Sequence, residues 1–209
     1  HRLVAAHPES PYADAFKILR TQVLQRMKEH GWKTLAVTSP NAGEGKTLTA
    51  LNLAASLALE ISHTVLLVDA DLRHPGVAGL LGLDEAPGLA DYLLDGATLE
   101  TLLVHPEPLE HLVVLPAGRP LLNSAELLGS PNMAQLVRDL RDRYPERIVV
   151  FDLPPVLTAA DALAFAPNVD ALLLVLEEGR TTQEDLERTM ELLDGQAILG
   201  TVLNKAALA

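Results

Sequence analysis

The sequence predicts a doubly wound α/β fold, a mostly parallel sheet flanked by helices on both faces. Short runs recur that are apolar throughout rather than alternating, as strands buried on both faces must be. Between them lie stretches with apolar residues at i, i+3 and i+4, so strand and helix alternate along most of the chain. Aromatic residues make up only 3% of the 209 residues, while Leu, Ala and Val dominate, a composition suited to parallel strands covered by helices. With 48% hydrophobic and 21% charged residues the chain is globular, and residues 1–209 are expected to form one domain.

The elements follow in order. Residues 1–11 are expected to form an arm, and residues 12–30 a helix before the first core strand. Strands are expected at Thr34–Thr38, Thr64–Val68, Leu112–Leu115, Ile148–Phe151, Ala171–Leu176 and Ile198–Leu203. Helices are expected at Thr47–Glu60, Asn132–Arg143 and Thr182–Leu193. Pro106, Pro108, Pro116 and Pro120 mark loops in the middle of the chain. Residues 121–128 read as local packing rather than as a partner surface, and Glu177 and Glu178, before Gly179, as a solvated loop.

Composition also excludes. A net charge of −12, from 28 acidic and 16 basic side chains, argues against wrapping nucleic acid, which needs clustered Lys and Arg. The absence of cysteine removes disulfides, thiol catalysis and zinc ribbons. The 7 histidines show no metal-ligand spacing. No apolar run approaches the roughly 20 residues that cross a bilayer. The chain opens on His1 rather than Met, so it is expected to be part of a longer protein, and a membrane segment could lie outside it.

Residues 34–50 read TLAVTSPNAGEGKTLTA: a buried strand, a glycine-bearing loop, then Lys46 and Thr47 opening a helix. Gly43 and Gly45 let the backbone curl so that successive N–H groups face phosphate oxygens, and the helix adds the positive end of its dipole. Lys46 would bridge the terminal phosphates and the Thr47 hydroxyl would ligate Mg²⁺. Asn41, Ala42, Gly43, Glu44, Gly45, Lys46, Thr47 and Leu48 are therefore the candidate nucleotide-binding segment. The pattern Gly-x-x-x-x-Gly-Lys-Ser/Thr is kept except at its first position, which is Pro40. TVLLVDADLRHP places Asp69 and Asp71 past one buried strand, and RIVVFDLPP places Asp152 past another. Ligands of open α/β sheets sit beyond the carboxyl ends of the strands, so these carboxylates would face the same phosphates, directly or through Mg²⁺-bound water. Strand-end aspartates also serve as helix caps. Together with Lys46 they indicate that ATP and Mg²⁺ are bound.

The set SPNAGEGKT, VLLVDADLRHP and IVVFDLPP resembles the Walker A, A′ and B motifs of bacterial tyrosine kinases, the P-loop kinases of polysaccharide export. PAGRPLLNSAELLGS, TAADALAFAPNVDALLLVLEEGRTT and ILGTVLNK extend the resemblance over nearly the whole chain. Partitioning and division-site ATPases of the same superfamily carry an extra lysine five places before the main one; here that place is Asn41. With the acidic charge, this counts against a DNA-partitioning ATPase.

The resemblance implies phosphoryl transfer from ATP to tyrosine, with Lys46, Asp69 and Asp71 as catalytic candidates. Thr47, Asp69, Asp71 and Asp152 are the candidate metal ligands. Asp69 would orient or deprotonate the tyrosine, Asp71 would support the metal, and the two could exchange roles. Arg73 could reach phosphate or form a salt bridge. Asn204 could lie beside the base or form a turn. The family's Glu-x-x-Arg-x-x-Arg ring pattern resembles Asp14, Lys17 and Arg20, with two of three residue types substituted, and implies a homo-oligomer, possibly a ring, or else a solvated charged face. A transmembrane activator, fused or separate, and a place at the cytoplasmic face of the membrane are further implications. The family's tyrosine-rich tail is not matched: the tyrosines are Tyr12, in the arm, and Tyr92 and Tyr144, in helical contexts that suggest packing. Leu153 replaces a small hydroxyl residue common after the Walker B aspartate. The alternative is a tail-less assembly ATPase of the same machinery without tyrosine kinase activity.

Overall fold

The computed structural model describes residues 3–6, 9–60, 63–83 and 86–206. Six strands form its sheet: β1 Thr34–Thr38, β2 Thr64–Asp69, β3 Leu112–Leu115, β4 Arg147–Asp152, β5 Ala171–Glu177 and β6 Ile198–Asn204. Their order is β3-β2-β4-β1-β5-β6, and every neighbouring pair is parallel. Parallel neighbours need crossovers, which helices supply. Among the described residues these are α1 Ala13–His30, α2 Lys46–Ala58, α3 Val77–Leu81, α4 Leu89–Asp95, α5 Leu99–Leu102, α6 Ser124–Leu128, α7 Pro131–Asp142, α8 Asp161–Phe165 and α9 Gln183–Leu192.

Successive strand residues point to opposite faces, and the two cores divide accordingly. Ala36, Leu66, Val68, Val149, Phe151 and Leu174 face one core, closed by Leu136 and Leu140 of α7 and Phe165 of α8. Leu35, Val37, Leu67, Val150 and Leu173 face the other, closed by α2 and by Val23 and Met27 of α1. Each such buried side chain stabilises the fold by about 1.5–3 kcal/mol. Helix α2 is buried from Thr49 to Ala58 on every side, as a helix apolar all round must be. The expected arm is docked where it is described: Ala5 is buried and its N–H donates to Asn52 Oδ1 at 3.0 Å. The rest of the expected arm is described only from Glu9 onward.

Helices α3, α5, α6 and α8 were not expected, while α4 is the helical context expected around Tyr92. The four unexpected helices have four or five residues each, too few for a helical period to show in the sequence. Tyr144 lies beyond the end of α7, half-exposed, with the Arg147 guanidinium stacked 4.0 Å from its ring centre, rather than packed on a helix. Tyr92 does lie in α4 and packs on the first core. Leu153 is fully buried in that core. Of residues 121–128, Leu128 is buried but Leu122 stands 87% exposed.

Four polar residues end their strands rather than following them: Asp69, Asp152, Glu177 and Asn204. Asp69 is in register with Asp152, and Glu177 with Asn204. The pairs flank β1, whose loop leads into α2. This register places the site.

Candidate active site

The loop after β1 turns through two glycines in the left-handed region, Gly43 at φ 84° and Gly45 at φ 94°. Gly45 caps α2, so the helix starts at Lys46. A β-carbon on Gly45 would stand 2.1 Å from Asn204 Nδ2, so only glycine fits. The N–H groups of residues 42–48 donate to no described residue; Asn41 N–H is the exception, donating to Glu44 Oε2 at 2.8 Å. A run of unpaired amides at a helix N-terminus is the donor set that a phosphate chain requires. Ala42, Gly43 and Leu48 are exposed, and Leu48 is the first α2 residue to face solvent.

Lys46 is buried, with Nζ 2.7 Å from Asp71 Oδ2, 3.2 Å from Thr47 Oγ1 and 3.7 Å from Asp152 Oδ1. Burial would lower its pKa, but the negative charges of Asp152, Asp71 and Asp69 hold it above the ordinary lysine value. Asp69 takes three backbone N–H bonds, from Asp71 at 3.2 Å and from Gly76 and Val77 at 3.0 Å each. Burial and the charge of Asp152 nevertheless push its carboxyl up to about 7. Asp152 is fully buried and neither carboxylate oxygen has a hydrogen-bond partner. Burial raises its pKa, against the pull of Lys46. An orphaned carboxylate beside a threonine hydroxyl at this loop is an oxygen donor set that suits Mg²⁺. The residues present therefore fit Mg²⁺.

The loop is braced from behind by residues that sequence reasoning missed or read otherwise. The buried Glu44 side chain turns away from the cradle, and its Oε1 accepts from Thr181 Oγ1 at 2.6 Å. Asn204 Nδ2 donates to Glu44 O at 2.8 Å, and Lys205 Nζ donates to Gly43 O at 2.8 Å. Asn204, considered for a place beside the base or in a turn, holds loop backbone here. Glu177, expected in a solvated loop, gathers Lys205 at 2.9 Å and Arg180 at 3.2 Å. No local signal pointed to it, because its place beside Asn204 depends on the pairing of β5 with β6.

A model of the AAA domain matches residues 32–195. The chain is 33% identical over 204 residues to the tyrosine-protein kinase YwqD of Bacillus subtilis, covering 97% of this chain and 84% of that protein. The chain belongs to the bacterial tyrosine-protein kinase family. It is also 34% identical to the succinoglycan biosynthesis transport protein ExoP of Rhizobium meliloti, of which it spans only 26%. Among solved structures, the kinase domain of the Escherichia coli tyrosine kinase ETK superposes with a TM-score of 0.88 at 29% identity, covering 100% of this chain and 83% of that one. The septum site-determining protein MinD of Pyrococcus horikoshii, solved with Mg-ADP, superposes at 0.67 with 25% identity, over 82% of this chain and 69% of that one.

The remaining family-derived candidates divide. Arg73, considered for phosphate, pairs through Nε with the buried Asp161 Oδ2 at 2.9 Å, and Ser124 Oγ donates to the other oxygen of Asp161. Asp14 and Lys17 pair with each other at 2.8 Å on the exposed face of α1. Arg20 turns inward instead, donating to Ser56 O at 3.1 Å and pairing with Glu60 at 3.1 Å. It ties α1 to the end of α2, so the three residues do not present one common face.

Proposed function

We propose that this chain transfers the γ-phosphoryl group of ATP to tyrosine hydroxyls in the control of exopolysaccharide or capsule export. The observation that carries the reading is the junction of Lys46, Asp71 and the unpartnered Asp152 beneath a loop of unpaired amides. Such catalysis is mostly positioning and charge neutralisation. The amides of residues 42–48 hold the phosphates. Lys46 leaves Asp71 for the β- and γ-phosphate oxygens. Thr47 and Asp152 would hold Mg²⁺, with Asp71 supporting it through bound water, and the ion would neutralise charge that develops on the phosphates. As Lys46 moves, Asp71 Oδ2 is released to accept the proton of the tyrosine hydroxyl. The tyrosine oxygen bonds to the γ-phosphorus as the bond to the β-bridging oxygen breaks, and ADP departs. Both oxygens of Asp69 are held by backbone N–H groups, whereas Asp71 gives only Oδ1 to one, from His74 at 3.0 Å, so Asp69 shapes the Asp71–Val77 loop and Asp71 takes the acid-base role that the resemblance gave first to Asp69.

The names of the relatives favour this reading over an assembly ATPase without kinase activity. No described helix is long and apolar enough to cross a membrane. The reading includes a membrane-embedded partner, because the chain matches most of YwqD but about a quarter of ExoP, so the same unit serves alone and within a larger protein. Self-association through α1 and a place at the cytoplasmic membrane face belong to the same proposal. The test is mass spectrometry of the protein extended to its native C-terminus, after incubation with Mg-ATP. Phosphotyrosine that disappears in Lys46→Met supports the reading; unmodified tyrosines despite ATP turnover overturn it.

A further inference from the structure

The end of the sheet away from the nucleotide loop carries a second cluster of charge. Lys33 precedes β1 and Arg147 opens β4, so both lie at the N-terminal ends of strands whose C-terminal ends form the kinase site. Five residues of β1 separate the two ends by roughly 17 Å. Lys33 and Arg147 line a groove of about 340 Å³ with Lys28, from the last turn of α1, over a floor that includes Met27. Trp32 forms one wall.

The cations here share one groove, and like Arg26, Arg138 and Arg188 they stand outside the ion pairs of the described residues. With 28 acidic residues against 16 basic ones, a surface Lys or Arg readily finds a carboxylate. Lys28, Lys33 and Arg147 form no ion pair with any described residue, whereas nine other Lys and Arg side chains do. Glu146 is the one carboxylate lining the groove, and Asp142, whose field reaches Lys33, is paired with Arg141 at 2.8 Å. Arg147 Nε is buried with no acceptor, and burial lowers the Arg147 pKa. Leaving a buried donor unmade is costly, but Arg20 Nε is left the same way and the Arg147 guanidinium rests on the Tyr144 ring at 4.0 Å, so what Arg147 brings to the groove is its charge. Three cationic groups beside an indole suit a dianionic phosphate on an apolar body: Arg147 and the lysines supply charge, and Trp32, already stacked on His30 at 4.2 Å, supplies an apolar wall.

We propose that this groove binds a phosphate monoester carried on an apolar body, at a site separate from the nucleotide loop. Trp32 is the only tryptophan of the chain, so its indole N–H resonance reports the groove alone. The experiment titrates phenyl phosphate, and in parallel inorganic phosphate, into protein saturated with Mg-ADP, at constant ionic strength. A saturable shift of the indole resonance is expected by about 10 mM, where a millimolar site is filled, with phenyl phosphate the tighter ligand. Lys28→Gln combined with Lys33→Gln, both outside the strands, should weaken binding at least about tenfold; Arg147→Gln should do the same and serves as an independent check. No saturable shift with either probe, or an undiminished shift in the lysine double variant, overturns the proposal.

Discussion

Replacing Asp152 with Asn should make the nucleotide-free protein more stable while removing its response to Mg-nucleotide. The side chain is fully buried and neither oxygen accepts a well-formed hydrogen bond, the Thr47 hydroxyl and Lys46 Nζ being near enough only to soften the cost of its charge. Its attraction to Lys46 at 3.7 Å is worth about 4–5 kcal/mol at an effective dielectric near 20. Desolvation of a carboxylate costs several kcal/mol, and the neighbouring carboxylate of Asp71 adds repulsion. The net balance is unfavourable to the charge, since the Asp152 pKa is raised. Asn keeps the shape, removes the charge and offers N–H donors to a cluster of carboxylates, and Lys46 keeps its 2.7 Å partner Asp71. A gain of about 1–3 kcal/mol at neutral pH follows, the range for relieving an unsatisfied buried group. The sign with pH is fixed as well. A group with a raised folded-state pKa carries its penalty only where it is ionised, so the advantage of Asn shrinks as pH falls and wild type becomes protonated. Urea unfolding at several pH values, with and without Mg-ADP, reads both effects. Destabilisation of the nucleotide-free variant by more than about 1 kcal/mol would refute the electrostatic reasoning. Equal stabilisation of both proteins by Mg-ADP would refute the metal assignment.

Gly45→Ala should abolish nucleotide binding and cost at least about 2 kcal/mol of stability, from left-handed strain and the clash with Asn204; adding Asn204→Ala should recover the clash component only, as urea unfolding of single and double variants would show. Glu44→Ala removes acceptors for Asn41 N–H and the Thr181 hydroxyl, so about 2–4 kcal/mol should be lost, with weaker ATP binding by calorimetry. Asp69→Asn should flatten part of the pH dependence of stability. The Asp69 carboxyl, raised to about 7 from 3.8, contributes stability that is full below its unfolded value and lost as pH rises through about 7. The substitution keeps one carbonyl oxygen for the Gly76 and Val77 amides but turns an NH₂ toward the Asp71 N–H, so hydrogen exchange at the Asp71 amide should speed up.

The sheet was legible because strands buried on both faces read as unbroken apolar runs, and each expected strand lies within an observed one. The phosphate loop was legible because Gly43, Gly45, Lys46 and Thr47 are fixed by local backbone chemistry. The division of labour between Asp69 and Asp71 was not, since both follow one strand within three residues and only the fold shows which oxygens the loop amides occupy. The partners of Arg73 and Arg20 lie 88 and 40 residues away in sequence, at Asp161 and Glu60. No local pattern joins them. Lys205 was hidden differently: it adjoins Asn204, but its reach to Gly43 depends on the pairing of β5 with β6.

The central claim is that phosphate leaves ATP for tyrosine rather than for water. The most direct test supplies ATP labelled at the γ-phosphate to the protein with its native C-terminus and Mg²⁺, and partitions the label between tyrosine and inorganic phosphate. Label on tyrosine, absent in Lys46→Met, is the predicted result. Label released wholly as inorganic phosphate, at a rate that Lys46→Met also abolishes, would contradict it and leave an ATPase in place of the kinase.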